Sequence, residues 1–172
     1  WDAFVLSRDD AGPYHLYAWK CAVETAYHHR AYYLIAKGYK DEILGVLPLF
    51  LIKPPVFRGT LVSLPFCDYG GILALNRDVA EHLCRCAINL ALSLNANLEL
   101  RYACPDPFLR ESCRLGVISH KVRMILNLPS GSEILWNGFK SKLRSQIKKP
   151  IKDGLEFKMG SQDLLNDFYT VF

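Results

Sequence analysis

The sequence lacks any uninterrupted apolar run of the roughly 18 residues that a membrane-spanning helix requires. Its longest apolar run, 43–52, contains Gly45 and Pro48, a pattern that indicates a buried strand instead. The first residues also lack a basic segment followed by a short apolar core, so no signal peptide is visible. We therefore expect no transmembrane segment.

No two cysteines form the Cys-x-x-Cys pair that is common in zinc sites and redox motifs. The six cysteines lie mostly in apolar runs, and a chain of 172 residues can build a core without disulfides. We therefore predict reduced thiols and a cytoplasmic location. His82 and Cys86 can share a helix face, but Cys84 points elsewhere. Because zinc needs three or four convergent ligands, we expect no metal site.

Several catalytic motifs are also missing. The chain has neither the Gly-x-Ser-x-Gly elbow of serine hydrolases nor the Gly-x-x-x-x-Gly-Lys phosphate loop. An initiating methionine is absent, and the chain stops within a predicted amphipathic helix, 163–172. We therefore expect these residues to come from a longer chain.

Acidic residues are absent between Lys140 and Lys152, a window with six basic residues, although the whole chain has a net charge of only +4. This uneven charge predicts a local contact with an anion and not a surface that coats nucleic acid. Lys140, Arg144 and Lys148 recur every four residues and suit phosphate groups. A solvated helix face is the alternative, although such a face gains from Glu–Lys pairs, which this window lacks.

The hydrophobic periodicity predicts alternating helices and strands. Strands are predicted over 30–36, 43–52, 60–64, 98–102 and 121–128, and helices over 15–27, 76–94 and 109–113. One further helix starts near Ser132, carries an apolar stripe every four residues from Leu135 to Ile151, and ends near Pro150 or Gly154. We predict an α/β (α+β) fold with a mixed, mostly antiparallel sheet flanked by helices.

Four segments together resemble the FemAB-like family of acyl and aminoacyl transferases, which have GNAT-type folds. They are the hairpin 32–36 with 43–49, the Pro-Phe…Tyr-Gly-Gly segment 63–71, the strand 98–101 that ends in Arg, and the stretch 126–154 with its Trp, basic helix and Lys-x-Gly. One branch of this family accompanies bacterial exopolysaccharide and PEP-CTERM protein-sorting gene clusters. The chain is similar to the amino-terminal portion of such an enzyme.

The resemblance implies a first GNAT-like domain over 1–130, then a basic helix and the start of a truncated second GNAT-like domain over 131–172. It implies transfer of an activated acyl group to an amine acceptor, in cell-envelope or exopolysaccharide biosynthesis. Acyl-CoA or aminoacyl-tRNA is the expected co-substrate, and no tightly bound cofactor is expected. The Arg/Gln-x-x-Gly-x-Gly/Ala loop that holds coenzyme A pyrophosphate in related enzymes is absent from these residues.

Acyl transfer to an amine needs a base near the amine and hydrogen-bond donors near the developing oxyanion. Asp68 is the candidate base, and Tyr69, Gly70 and Gly71 are candidate substrate contacts, because glycine lets the backbone approach a ligand. The same residue types are also typical of an ordinary turn that needs positive φ.

Lys140, Arg144 and Lys148 are the candidate residues for binding an anionic, phosphate-containing substrate, tRNA included. Because no activated nucleophile is recognisable, direct transfer without a covalent enzyme intermediate is the expected mechanism. The alternative function is a non-catalytic module that uses the basic helix to dock an anionic partner.

Overall fold

The computed structural model describes residues 1–119 and 124–172. The chain divides into two compact units, 1–123 and 124–172, which are described separately. The sequence predicts a domain boundary at 130/131.

Unit 1 is built on one mixed sheet with the strand order β1-β2-β3-β5, and β4 pairs with β2 as well. The strands are β1 (Arg30–Lys37), β2 (Ile43–Ile52), β3 (Gly59–Val62), β4 (Leu73–Ala74) and β5 (Ala96–Glu99). Among the strand pairs of the described residues, only β3–β5 is parallel. With helices flanking it, this sheet confirms the predicted fold class.

The described part of unit 1 also contains the α-helices α1 (Asp2–Leu6), α2 (Tyr17–Tyr27), α3 (Arg77–Ser93) and α4 (Pro107–Ser112). A 3₁₀ turn, Pro13–His15, precedes α2. The side chain of Asn76 accepts a hydrogen bond of 3.0 Å from the Val79 N–H, which confirms the predicted cap of α3. No helix in residues 1–119 and 124–172 is long and apolar enough to cross a membrane.

The sheet is covered on both faces, and β2 supplies the centre of the core. Leu47 and Leu49 point to one side, where they pack with Ala87 and Ala91 of α3. Phe50 belongs to the other side, where it packs with Val23 of α2 and with Leu64 and Cys67. Because side chains alternate along a strand, a strand buried on both faces becomes an almost continuous apolar run. The buried strand predicted over 43–52 is confirmed.

The segment between β3 and β4 forms a loop that leaves one edge of β2 and returns to it. Both strands run antiparallel to β2, β3 beside Phe50–Ile52 and β4 beside Gly45–Val46. Residues 63–72, which we name the 63–72 loop, connect them. Pro48 lies where β2 pairs with neither strand, so its missing N–H removes no ladder bond on this edge.

Unit 2 contains the helices α5 (Ser132–Gly138), α6 (Ser141–Lys152) and α7 (Leu165–Val171), with a 3₁₀ turn, Gln162–Leu164, before α7. The sequence predicts one continuous helix across α5 and α6, and this prediction is wrong. Phe139 and Lys140 adopt extended ψ angles of 139° and 149°, which separate the two helices. Pro150 lies in the last turn of α6, as predicted, and Gly154 follows with φ of 82°.

Two predicted strands also need correction. Residues 124–128 of the strand predicted over 121–128 are irregular, and residues 121–123 of that strand lie outside the described residues. The strand predicted over 98–102 is instead β5, which ends at Glu99. Arg101 and Tyr102 therefore follow the strand, beside the 63–72 loop.

Candidate functional site

The 63–72 loop is fixed along one side by the residues that follow β5. The Ser63 N–H donates to the Glu99 carbonyl at 2.9 Å, and the Gly70 N–H donates to the Arg101 carbonyl at 3.0 Å. The Arg101 N–H in turn donates to Ser63 Oγ at 2.9 Å. These three hydrogen bonds join Ser63 and Gly70 of the loop to one segment, so the loop has a defined conformation.

Side chains of the same segment add two further anchors. The Arg101 guanidinium donates to the Cys67 carbonyl at 2.9 Å and contacts the Glu99 carboxylate at 2.7 Å. The Ile72 N–H donates to the Tyr102 hydroxyl at 3.2 Å. Arg101 belongs to a segment that resembles the FemAB-like family, but its contact with the loop cannot be predicted from the sequence.

Gly70 and Gly71 are buried and closely packed, and neither has a positive φ. A Cβ at Gly70 would overlap the Leu64 side chain, and a Cβ at Gly71 would overlap the Tyr102 ring. The structure therefore requires glycine at these positions for close packing and not for turn geometry. The Gly70 N–H already has a backbone acceptor. Of the other candidates in this segment, Asp68 is exposed, whereas Tyr69 is half-buried with its ring close to Gly12.

Two bulky residues of the loop have a left-handed backbone. Leu64 has φ of 45° and Phe66 has φ of 67°. This conformation is uncommon outside Gly, Asn and Asp, and it is strained for a bulky side chain. Leu64 is buried, whereas its near neighbour Phe66 is 55% exposed. Strained backbone of this kind is often found at functional sites.

Cys67 and Asp68 are adjacent but differ in chemical character. The Cys67 thiol is buried, which raises its pKa to about 11, although the nearby Arg101 charge partly opposes the shift. Cys67 is therefore protonated near neutral pH and is not an activated nucleophile. The carboxyl group of Asp68 is exposed and accessible to an incoming amine.

His15 lies against the carboxyl-terminal part of the loop, and sequence reasoning gave it no role. The side chain is only 2% exposed. Its Nδ1 accepts a hydrogen bond of 3.1 Å from the Gly12 N–H. Burial lowers the pKa of His15, while the backbone of Gly71 and Gly12 raises it in part. Burial therefore favours the neutral form of this imidazole.

The predicted cationic row belongs to unit 2. Lys140 is the residue before α6, and Arg144 and Lys148 follow at steps of four along the helix. Lys140 and Lys148 are exposed and Arg144 is half-buried. Among the residues that the structure describes, none of these three cations forms an ion pair with a carboxylate. The row can therefore meet an external anion.

Trp136 of α5 lies beside this row. The Lys148 ammonium is 5.4 Å from the centroid of the Trp136 ring. Trp136 also lines an open depression of about 530 Å³, together with Ser132, Glu133 and Asn137.

Of the three candidate metal ligands, two lie close together and the third lies elsewhere. Cys86 Sγ lies 3.7 Å from His82 Nε2, so these residues share a face of α3, as predicted. Cys84 is instead buried beside Leu109 and Cys113. Within the described ranges, no three His, Cys, Asp or Glu side chains converge. All six cysteines have free thiols.

Comparison of the chain with protein-family models, with curated proteins and with solved structures gives no match. Unit 1 presents a carboxylate on a well-anchored loop, which can accept a proton. Unit 2 presents a row of cations, which can bind phosphate.

Proposed function

We propose that the protein is a FemAB-like, GNAT-type acyl or aminoacyl transferase that acts on an amine acceptor. The observation that carries this proposal is the 63–72 loop. Its backbone is fixed by the residues after β5, yet it exposes the Asp68 carboxylate. Catalytic groups are commonly placed on loops that a rigid scaffold positions.

In the proposed reaction, the amine nitrogen attacks the carbonyl carbon of an activated ester or thioester. The new C–N bond forms as the C–O or C–S bond breaks, and the leaving oxygen or sulfur takes up a proton. Asp68 accepts the proton that the amine nitrogen loses and passes it to the leaving oxygen or sulfur. Direct attack is consistent with the buried Cys67 thiol, whose raised pKa makes it a poor nucleophile.

Lys140, Arg144 and Lys148 are proposed to bind the phosphate groups of the co-substrate, acyl-CoA or aminoacyl-tRNA. Arg144 suits bidentate contacts, and the two lysines act as point charges. A role in cell-envelope or exopolysaccharide biosynthesis, in the cytoplasm, is part of the same proposal and rests on the resemblance of the sequence. The proposal that a second GNAT-like domain begins at residue 131 also rests on this resemblance.

The proposal is tested by incubating the protein with coenzyme A thioesters or aminoacyl-tRNA and a set of amines. Mass spectrometry should detect an acylated amine whose formation depends on the protein. In calorimetry, Arg144→Ala should weaken binding of the active donor by about tenfold or more, because it removes charge-assisted hydrogen bonds.

The melting temperature of Arg144→Ala should stay close to that of the wild type, since Arg144 lies on a helix without buried residues. Gln146→Ala is a matched control on α6, outside the cationic row, and should bind the donor like the wild type. A marked loss of thermal stability in Arg144→Ala would instead assign Arg144 a structural role.

A second candidate function is a non-catalytic module that docks an anionic partner through α6. The observation that favours it is the exposed apolar stripe beside the cationic row: Leu143 and Ile147 are each 41% exposed and Ile151 is 71% exposed. Such a basic amphipathic helix can bind a partner through charge and apolar contacts together. Binding of an anionic partner without any acyl transfer would favour this function over the transferase.

A further inference from the structure

Three planar side chains meet on the surface of unit 1. They are Tyr27 at the end of α2, His29 just before β1, and Phe66 in the 63–72 loop. The Tyr27 and Phe66 centroids are 4.3 Å apart with ring planes 28° apart. His29 lies 5.9 Å from Tyr27 and 6.1 Å from Phe66, with interplanar angles of 10° and 18°. We name these three nearly parallel rings the aromatic platform.

Two rings of the aromatic platform are about half exposed to solvent, and His29 is half-buried. Tyr27 is 54% exposed and Phe66 is 55% exposed, even though their rings contact each other. The residues on either side of Phe66, Pro65 and Cys67, are buried. The loop therefore turns one large aromatic ring outward while it buries its neighbours. An exposed cluster of aromatic rings is typical of a binding surface.

Backbone strain accompanies the outward position of these rings. Phe66 has φ of 67°, whereas the φ of 55° at His28 belongs to the left-handed cap that commonly ends a helix such as α2. Bulky residues adopt this conformation rarely, and it persists where the surrounding structure enforces it, as in ligand clamps. The anchors that Arg101 provides to Cys67 and Gly70 hold the loop in this conformation.

We infer that the aromatic platform stacks against the base of a nucleotide. A nucleobase is flat and matches the parallel rings, and aromatic side chains stack with every base. The ring nitrogens of His29 and the hydroxyl of Tyr27 can form hydrogen bonds with the polar edges of a base. This inference rests on the proposed function and names the part of its co-substrate that unit 1 binds, since coenzyme A and tRNA both carry nucleobases.

The inference is tested by titrating adenosine monophosphate into the protein and following binding by NMR. Ribose 5-phosphate, which has the same sugar and phosphate but no base, is the control ligand. Saturable binding of adenosine monophosphate, with much weaker binding of ribose 5-phosphate, is expected. Phe66→Asn should weaken the binding of adenosine monophosphate by about five- to fiftyfold, because the stacking contact is lost. Asn tolerates a left-handed backbone, so this variant should keep the loop conformation.

Tyr27→Leu is a second variant that removes a ring and keeps a good helix former, and it should weaken binding similarly. Tyr39→Asn is the matched control, because Tyr39 is a fully exposed aromatic residue in the turn between β1 and β2. It should bind adenosine monophosphate like the wild type. The inference is overturned if the nucleotide does not bind, if both platform variants bind it like the wild type, or if ribose 5-phosphate binds equally well.

This test separates the inference from the proposed function, because it measures equilibrium binding and needs no turnover. Nucleotide binding that depends on Phe66, in a protein that transfers no acyl group, would support the platform and contradict the transferase. Acyl transfer that is unchanged in Phe66→Asn, together with no nucleotide binding, would support the transferase and contradict the platform.

Discussion

His15 shows how one buried residue couples the stability of unit 1 to pH. Its imidazole lies between Gly12 and the end of the 63–72 loop, and burial is the largest influence on its pKa. A buried imidazole favours its neutral form, because the protonated form would lose its hydration. Asp10 partly opposes this shift by its charge.

The free energy of unfolding should therefore fall as the pH decreases below the ordinary histidine value of 6.5. The folded-state pKa is lowered, so the unfolded chain binds the proton at a higher pH than the folded chain, and stability is retained above 6.5. For one such group, the free energy of unfolding changes by at most about 1.4 kcal/mol per pH unit. Urea unfolding at a series of pH values measures it.

His15→Gln should be less stable than the wild type near neutral pH but should lose most of this slope. His82→Gln, at an exposed position of α3, is the control and should keep the slope. Asp10, whose pKa is lowered chiefly by its hydrogen bond with Arg8, contributes only at more acidic pH. An unchanged slope in His15→Gln would contradict the account of this residue.

At the scale of elements, the 63–72 loop depends on two glycines that allow close packing. Gly70→Ala should destabilise the protein by about 1–3 kcal/mol, because the added methyl group overlaps the buried Leu64 side chain. Gly71→Ala should do the same against the Tyr102 ring. Thermal unfolding followed by circular dichroism measures both effects.

Gly138→Ala is the matched control for these two variants. Gly138 ends α5, and a Cβ there meets no atom within 4 Å. It should leave the stability unchanged or raise it by up to about 1 kcal/mol, since alanine favours a helix more than glycine does. If Gly70→Ala and Gly71→Ala were as stable as this control, the proposed packing of the loop would be wrong.

The elements that the sequence predicts well are those that bury side chains at a regular spacing. The strand 43–52 and the helix after Asn76 are examples, and both bury apolar residues along their length. β4 has two residues and α1 has five, too few for a periodic pattern to appear. The break at Phe139 is not visible in the sequence, because the apolar spacing of four continues across it.

The candidate site could be predicted only in part, for a related reason. Asp68, Tyr69, Gly70 and Gly71 are adjacent in sequence, and the resemblance to the FemAB-like family singles out this segment. The contacts of Arg101 and His15 with this loop, and the meeting of Phe66 with Tyr27, join residues far apart in the chain. No local pattern encodes such contacts, because they follow from strand pairing and packing.

At the scale of the whole molecule, the two units carry different chemical groups. Unit 1 holds the sheet, the 63–72 loop with Asp68, and the aromatic platform. Unit 2 holds the cationic row on α6, and its helices bury none of their residues. Under the proposed function, unit 1 supplies the base that accepts a proton and unit 2 binds phosphate.

The steady-state rate of Asp68→Asn with the active donor and amine tests the central claim most directly. Asparagine keeps the size of the side chain but cannot accept the proton, so kcat/KM should fall by about a hundredfold or more. Asp9→Asn, at another exposed carboxylate, should act like the wild type. A rate for Asp68→Asn within about twofold of the wild type, measured on a folded variant, would contradict the role of Asp68 as the base.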